Sequence, residues 1–124
     1  MQIIHTKEAP QAVGPYAQAV EVNGMIFCSG QIPVDPQTGN IEAASAAEQT
    51  TQVLLNLRAV LAAVDVGLNQ VVKTTVFLTD LGDFVAMNKV YAEMFSGHTP
   101  ARSTIQVVQL PRGAKVEIEA IAIR

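Results

Sequence analysis

Val116-Glu117-Ile118-Glu119-Ala120-Ile121-Ala122-Ile123, close to the end of the chain, is the segment from which the architecture is inferred most directly. Together with Lys115 before it, its composition predicts a β-strand over Lys115–Ile123, in which successive side chains point to opposite faces of a sheet. One face carries only aliphatic residues, whereas the other carries both glutamates together with two isoleucines. Because strands that are apolar on both faces are usually covered on both, each side of this sheet requires a partner layer.

Other segments predict the neighbouring strands. Asn23-Gly24 separates Val20–Val22 from Met25–Cys28 and tolerates the positive φ angles of a two-residue hairpin turn, so we expect a β-hairpin there. The β-branched segment Val71–Leu78 predicts a further strand, and so does the segment Ser103–Leu110.

Two helices are predicted between these strands. The first begins at the capping box Ser45-Ala-Ala-Glu48, continues with apolar residues at helical spacing and ends at Gly67. The second is capped by Asp80 and stopped by Gly97 and Pro100. Its apolar stripe consists of Phe84, Met87, Val90, Tyr91, Met94 and Phe95.

The order of these elements predicts an α+β domain with both helices on one face of a mixed sheet, spanning residues 1–124 as one unit. Two strand–helix–strand connections favour some parallel pairing with right-handed crossovers. No further helix remains for the second face of the sheet, so we expect that face to pack against another copy of the chain.

Composition excludes several classes of protein. The 124 residues are 49% hydrophobic and 15% charged, with a net charge of −3 and no cluster of Lys or Arg. Nucleic-acid binding normally needs a basic patch, so we expect no nucleic-acid partner. No run is long enough for a membrane-spanning helix, and no secretory signal is recognisable at the N-terminus, so we expect a protein without a membrane partner. The single cysteine, Cys28, fits the reducing cytoplasm.

Few residues are candidates for chemistry. His5 and His98 lack Cys or acidic neighbours at metal-ligand spacing, so no metal site is predicted. Arg102 and Glu117 are charges within apolar strands, where a charge needs a partner. The residues alone leave two interpretations open: a structural Arg–Glu ion pair, or an arginine that clamps a small carboxylate while Glu117 manages a water molecule.

Several motifs, in order along nearly the whole chain, resemble the reactive-intermediate deaminase (YjgF-like) family. They are Gly14-Pro15-Tyr16, Cys28-Ser29-Gly30-Gln31-Ile32-Pro33, Val72-Lys73-Thr74-Thr75-Val76-Phe77, Pro100-Ala101-Arg102-Ser103 and Val116-Glu117-Ile118-Glu119-Ala120-Ile121-Ala122. The resemblance implies a fold like that of Bacillus chorismate mutase and a homotrimer with a cleft between neighbouring subunits. It also implies a hydrolase, a 2-iminobutanoate/2-iminopropanoate deaminase that needs no cofactor and releases 2-keto acids and ammonia.

The resemblance also implies roles for individual residues. Arg102 matches the arginine that grips the substrate carboxylate, and Glu117 matches the glutamate that holds the attacking water. The remaining matched positions are substrate-binding ones. They are Tyr16 as an aromatic wall, Ser29 and Gly30 near the carboxylate, Asn88 as a polar neighbour, and Thr104, which replaces a cysteine common in the family.

Two other functions remain open. Some family members are ascribed endoribonuclease or translation-inhibitor activity, which the absence of a basic patch disfavours here. The chain could also form a non-catalytic trimer that binds keto acids or acts like a chaperone, because binding and catalysis would use the same arginine.

Overall fold

A computed structural model describes residues 1–124, which form one six-stranded sheet and two helices. The strands are β1 (Gln2–Ile4), β2 (Ala19–Val22), β3 (Met25–Gln31), β4 (Val71–Leu78), β5 (Ala101–Gln106) and β6 (Val116–Ile123). The helices are α1 (Ala46–Ala62) and α2 (Phe84–Phe95). The predicted α+β class, with two helices packed on a mixed sheet, is confirmed.

The sheet has the order β1-β2-β3-β6-β4-β5, so the last strand of the chain is inserted into its middle. Strands β4 and β5 pair in parallel, as expected for a strand–helix–strand unit, and the other pairs are antiparallel. The predicted hairpin joins β2 to β3, with Asn23 at φ 51° and Gly24 at φ 78°. Strand β5 is an edge strand, which leaves one side of its backbone unpaired.

The core lies between one face of the sheet and the two helices. In β6, Val116, Ile118, Ala120 and Ala122 are at most 3% exposed, as their alternation predicts. They pack with Val53, Leu54, Leu57, Val60 and Leu61 of α1 and with Met87, Tyr91 and Phe95 of α2. Neither α1 nor α2 combines the length and the hydropathy that a membrane-spanning helix needs.

The opposite face of the sheet, which we call the open face, has no layer over it. Its residues include Met25, Phe27, Phe77, Ile105, Ile121 and Ile123, of which Phe27 is 37% exposed and Ile123 is 45% exposed. The sequence predicted such an uncovered apolar face, and within one chain nothing packs on it.

Several boundaries differ from the predictions. Helix α1 has the predicted capping box at Ser45 but ends at Ala62, and Asp65, not Gly67, has the positive φ angle (58°). Asp80 accepts from the Gly82 N–H and caps a short 3-10 turn that precedes α2. Strand β5 begins at Ala101 and ends at Gln106, earlier than predicted. Strand β1 was not predicted, because three residues are too few to show a periodicity.

Candidate functional site

Arg102 lies on the helix side of edge strand β5. Its Cα partner across the parallel pair is Thr74, which is completely buried beneath the helices, so the two side chains share that face. The Arg102 guanidinium donates through Nη1 to Asn88 Oδ1 at 2.8 Å. Its Cζ also lies 4.8 Å from the centre of the Tyr91 ring and 5.5 Å from that of Phe84, distances at which a cation is attracted to an aromatic face.

The charge of Arg102 has no acidic partner within the chain. The one salt bridge joins Arg124 to Glu21 at 2.9 Å, far from this site in sequence. The Arg102 guanidinium has five N–H donors, and only one of them forms a hydrogen bond within the chain, to Asn88. The planar pair of donors that binds a carboxylate therefore remains available. It opens on a cavity of about 410 Å³, also lined by His98 and Thr99.

Tyr91 and Phe84 were not named as site residues from the sequence, where they counted only as part of an apolar stripe. Tyr91 shares a 2.6 Å hydrogen bond with Thr74 Oγ1, and burial raises the pKa of its phenol, so the ring remains neutral. The sequence contained a signal that could have identified them. Phe84, Asn88 and Tyr91 are spaced four and three residues apart, so they lie on one face of α2.

Glu117 lies on the open face, on the other side of the sheet from Arg102. Its Cα partner in β4 is Phe77, whose neighbours Val76 and Leu78 point into the core. The Glu117 carboxylate rests against Gly30 so closely that a Cβ on Gly30 would collide with Oε2. Glycine at position 30 therefore allows the carboxylate to lie in this position, and the reason is the close approach alone, because the φ angle of Gly30 is not positive.

Burial raises the pKa of the Glu117 carboxyl, and the like charge of Glu119 raises that pKa further. From the sequence, burial was expected to raise the pKa of Glu117 and Arg102 to lower it, and which effect is larger was left undecided. Within one chain the Arg102 guanidinium does not contribute to this pKa. A carboxyl with a raised pKa is better suited to accept a proton near neutral pH than an ordinary surface glutamate.

Ser29 and Tyr16 lie beside Gly30. Ser29 Oγ donates to the Ala17 carbonyl at 2.6 Å, and the Ser29 N–H donates to the Gln18 carbonyl at 3.0 Å. These bonds fix the segment that carries Tyr16, whose ring is 54% exposed. Tyr16 and Gly30 line one cavity of about 380 Å³.

Thr104 follows Arg102 by two residues and points to the same side of β5, since it pairs with buried Val76. Its hydroxyl is sealed from solvent and has no hydrogen-bond partner. The Val107 N–H donates to the Leu78 carbonyl, so by alternation the backbone of Thr104 points away from β4, towards the open edge. The Thr104 carbonyl is therefore free to accept a hydrogen bond from outside the chain.

The predicted site residues thus form two groups within one chain. Arg102, Asn88 and Thr104 lie together at the β5 edge, whereas Glu117, Gly30, Ser29 and Tyr16 lie around the end of β3. The two groups are on opposite faces of the sheet, so Arg102 and Glu117 make no ion pair in the chain, and the structural pair considered from the sequence does not form within it.

Other titratable residues have structural roles. Burial raises the pKa of the Cys28 thiol to about 12, so it stays protonated and packs as a small core residue. His98 Nε2 lies 2.6 Å from the Val71 carbonyl and must carry the proton, because a carbonyl can only accept. No three His, Cys, Asp or Glu residues lie close enough together to hold a metal ion.

Residues 6–124 match the family model described as Endoribonuclease L-PSP. The chain belongs to this family. The YjgF-like resemblance read from the motifs is thereby confirmed. The names of similar proteins differ from that of the family model. A mouse relative, 46% identical over 123 residues (99% of this chain and 91% of the relative), is named 2-iminobutanoate/2-iminopropanoate deaminase.

Two further proteins show how closely the sequence and the fold of this chain are matched elsewhere. A RutC family protein, y4sK of Sinorhizobium fredii, is 53% identical over 118 residues, which are 95% of this chain and 94% of that protein. The crystal structure of Escherichia coli TdcF with bound serine superposes with a TM-score of 0.96 at 46% identity, covering 100% of this chain and 99% of TdcF.

Proposed function

We propose that the protein is a cytoplasmic reactive-intermediate deaminase that hydrolyses small 2-imino acids, such as 2-iminobutanoate and 2-iminopropanoate, to 2-keto acids and ammonia. The observation that carries this proposal is the Arg102 guanidinium, which is oriented by Asn88 and Tyr91 but has no acidic partner. The name of the mouse relative and the single free cysteine, which fits a reducing compartment, support the activity and the location.

The chemistry follows from the groups available. Arg102 binds the substrate carboxylate through two parallel charge-assisted hydrogen bonds, which fixes the position of the C=N carbon. Glu117 accepts a proton from water while the oxygen attacks that carbon, and the C=N π pair moves to nitrogen. Glu117 then gives this proton to the nitrogen of the carbinolamine, which turns the amine into a leaving group. The ionised Glu117 takes the hydroxyl proton as the C=O bond forms, the C–N bond breaks and ammonia leaves with the bonding pair, and Glu117 finally releases that proton to solvent. Nothing is oxidised or reduced, so the proposal includes no cofactor.

The proposed site is built from two copies of the chain. Arg102 and Glu117 lie on opposite faces of one sheet and cannot meet on one substrate, whereas a neighbouring copy packed on the open face can bring its β5 edge to Glu117. Asn88 and the Thr104 carbonyl then accompany Arg102, while Gly30, Ser29 and Tyr16 accompany Glu117. In a homotrimer with three such clefts all copies are equivalent. Each copy contributes its Arg102 group to one cleft and its Glu117 group to another.

Mixing two inactive variants tests both the residues and the assembly. Arg102→Ala removes the clamp and Glu117→Gln removes the base, so each variant alone should lose activity. After co-refolding in equal amounts, about a quarter of the clefts combine an intact Arg102 with an intact Glu117, so about a quarter of parental activity should return. A mixed sample as inactive as its components would reject the shared site.

The assay itself uses threonine dehydratase to release the imine and semicarbazide to trap whatever remains. Keto acid should form faster, and semicarbazone more slowly, when the protein is added. Formation rates that the protein does not change would reject the deaminase function.

Binding without turnover is the alternative that one comparison favours, since TdcF was crystallised with bound serine. Such a protein would bind 2-keto acids through Arg102 yet leave the semicarbazone yield unchanged. The imine-trapping assay therefore separates the two functions. Endoribonuclease activity would have to work with 8 Lys and Arg against 11 Asp and Glu, and any nuclease that persists in Arg102→Ala would not belong to this site.

A further inference from the structure

His98 has one ring nitrogen that is bonded inside the fold and one that is not. Its Nε2 lies 2.6 Å from the carbonyl of Val71, a residue with no exposed surface, so this nitrogen carries the proton and is directed inwards. In the neutral imidazole the other nitrogen, Nδ1, then keeps its lone pair and can only accept a hydrogen bond. The bond to Val71 is the only one that the His98 side chain makes.

His98 Nδ1 is accessible from outside the chain. The only sealed side-chain nitrogen or oxygen that lacks a partner is Thr104 Oγ1, and His98 is half-buried, so its unbonded Nδ1 is in contact with open space. The two nitrogens of an imidazole point to nearly opposite sides of the ring. Because Nε2 is directed at the buried Val71 carbonyl, Nδ1 is directed away from the core.

The His98 ring is held in this orientation from several sides. His98 follows Gly97, which has φ 90° at the end of α2, and the His98 N–H donates to the Phe95 carbonyl at 3.1 Å. The Phe95 ring lies 6.2 Å from the imidazole, measured between ring centres. Together with the bond to Val71, these contacts fix the imidazole while they leave Nδ1 free.

His98 and Arg102 line the same cavity. This cavity of about 410 Å³ lies between α2, the α2–β5 connection and β5, and no acidic residue is part of its wall. Arg102 brings N–H donors to it, of which one is used by Asn88. A ligand in the cavity therefore finds donors that suit a carboxylate and, on His98, an acceptor that suits an N–H group.

We propose that His98 Nδ1 accepts a hydrogen bond from the imine nitrogen of a 2-imino acid whose carboxylate is bound by Arg102, and that it thereby distinguishes the substrate from the keto-acid product. The inference rests on the proposed deaminase function and assigns a specificity-determining residue to the same site. In substrate and product, the imine nitrogen and the keto oxygen occupy the same place, on the carbon next to the carboxylate.

The chemistry of that one atom decides the preference. An imine N–H donates to Nδ1, whereas a keto oxygen only accepts, so its lone pairs would oppose the lone pair of Nδ1. The site therefore favours the imine and releases the keto acid. The carboxylate and the nitrogen would both be held by one copy of the chain, while Glu117 comes from its neighbour.

Pyrrole-2-carboxylate and furan-2-carboxylate are matched probes for this preference. Both are planar and almost equal in size, and they differ in the ring atom beside the carbon that bears the carboxylate, which is N–H in the pyrrole and oxygen in the furan. The parent protein should bind the pyrrole about fivefold more tightly, the effect of one hydrogen bond, as measured by calorimetry. Both probes should lose affinity in Arg102→Ala, which removes the carboxylate clamp.

Two substitutions separate the two nitrogens of His98. Glutamine can donate to the Val71 carbonyl from the place of Nε2 but has no acceptor at the place of Nδ1. His98→Gln should therefore keep the melting temperature and abolish the preference for the pyrrole. Asparagine has an amide oxygen near the place of Nδ1 but does not reach Val71, so His98→Asn should keep the preference and lower the melting temperature. His5→Gln, at the other histidine, which is exposed, is the control and should change neither.

Nitrogen NMR of isotope-labelled histidine observes the tautomer directly. Nε2 should carry the only ring proton of His98 in the free protein. Pyrrole-2-carboxylate should shift the Nδ1 resonance, and furan-2-carboxylate should shift it less. A proton on Nδ1 in the free protein would overturn the inference, because Nδ1 could then not accept.

The outcomes separate this inference from the proposed function. Probes that do not bind, or that bind equally well to Arg102→Ala, would reject the carboxylate clamp on which the deaminase depends. Arg102-dependent binding with equal affinity for the two probes would reject only the role of His98. A preference for the pyrrole that persists in His98→Gln would do the same.

Discussion

Arg102 and Glu117 differ in how the surrounding residues prepare them. Arg102 is held by neutral groups, an amide oxygen and two aromatic rings, which orient a cation without neutralising it. Glu117 is partly buried and lies near the charge of Glu119, and both effects favour its protonated form. A free cation and a carboxyl with a raised pKa are suited to bind an anion and to accept a proton, respectively.

Removing the like charge beside Glu117 should shift the pH dependence of the reaction. Glu119 disfavours the ionised Glu117 and raises its pKa, so Glu119→Gln should lower that pKa. The base acts when ionised, and therefore the acid limb of the kcat/KM profile should move to lower pH, with faster turnover on that limb. The measurement is the imine-trapping assay across pH on samples of confirmed oligomeric state. A limb that stays in place or moves upwards would contradict the role of Glu117.

Gly30→Ala tests the close approach of Glu117 to the β3 backbone. The added Cβ would overlap Glu117 Oε2, which is the flexible end of a side chain and can move aside. We therefore expect a folded protein whose melting temperature changes little. Its kcat should fall, because the carboxylate no longer lies where it can take a proton from the attacking water. Calorimetry and the imine assay measure the two effects. Full activity in Gly30→Ala would mean that the carboxylate need not rest on residue 30.

Helix α2 and strand β5 position the cationic half of the site at the level of whole elements. The helix places Phe84, Asn88 and Tyr91 on one face, over the point where β5 presents Arg102. The edge position of β5 leaves the Thr104 carbonyl unpaired, and exposed strand edges are the parts of a sheet that pair with other chains. The cationic half is thus assembled within one chain and directed outwards.

Helix α1 should depend measurably on its N-terminal cap. Ser45 Oγ accepts from the Glu48 N–H at 3.1 Å, and the Glu48 carboxylate accepts from the Ser45 N–H at 3.4 Å. Ser45→Ala removes the acceptor of the Glu48 N–H and should reduce the free energy of unfolding by about 1 kcal/mol. Denaturant titration measures the change. Thr51→Ala, farther along the same helix, should have a smaller effect, and equal losses in the two variants would contradict the capping role.

The whole molecule has one covered and one uncovered sheet face, and that asymmetry connects folding with assembly. The helices bury one face of β6 almost completely, whereas Phe27, Ile121 and Ile123 on the other face keep contact with solvent. Large exposed apolar surfaces usually mark interfaces. Covering the open face with other copies would remove this surface from water and complete the proposed clefts in one step.

A charge on the open face should therefore abolish both assembly and activity. Phe27→Glu would bury a carboxylate in the proposed interface, so we expect monomers by light scattering and loss of imine turnover. Ala62→Glu adds the same charge on the exposed end of α1 and should leave both unchanged. A fully active Phe27→Glu monomer would show that one chain contains the complete site.

The sequence by itself determined the elements and the faces that they bury. Strand β4 was predicted at its observed bounds, and the Ser45 capping box and the Asn23-Gly24 turn were predicted at their observed positions, because local spacing and backbone preference control them. The end of α1 and the bounds of β5 were predicted less well, because packing and hydrogen bonds to distant residues set them. Only the tertiary structure decided that Arg102 and Glu117 lie on opposite faces, and that Phe84 and Tyr91 hold the guanidinium. The physical reason is that strand order and register bring together residues far apart in the chain, which no local pattern specifies.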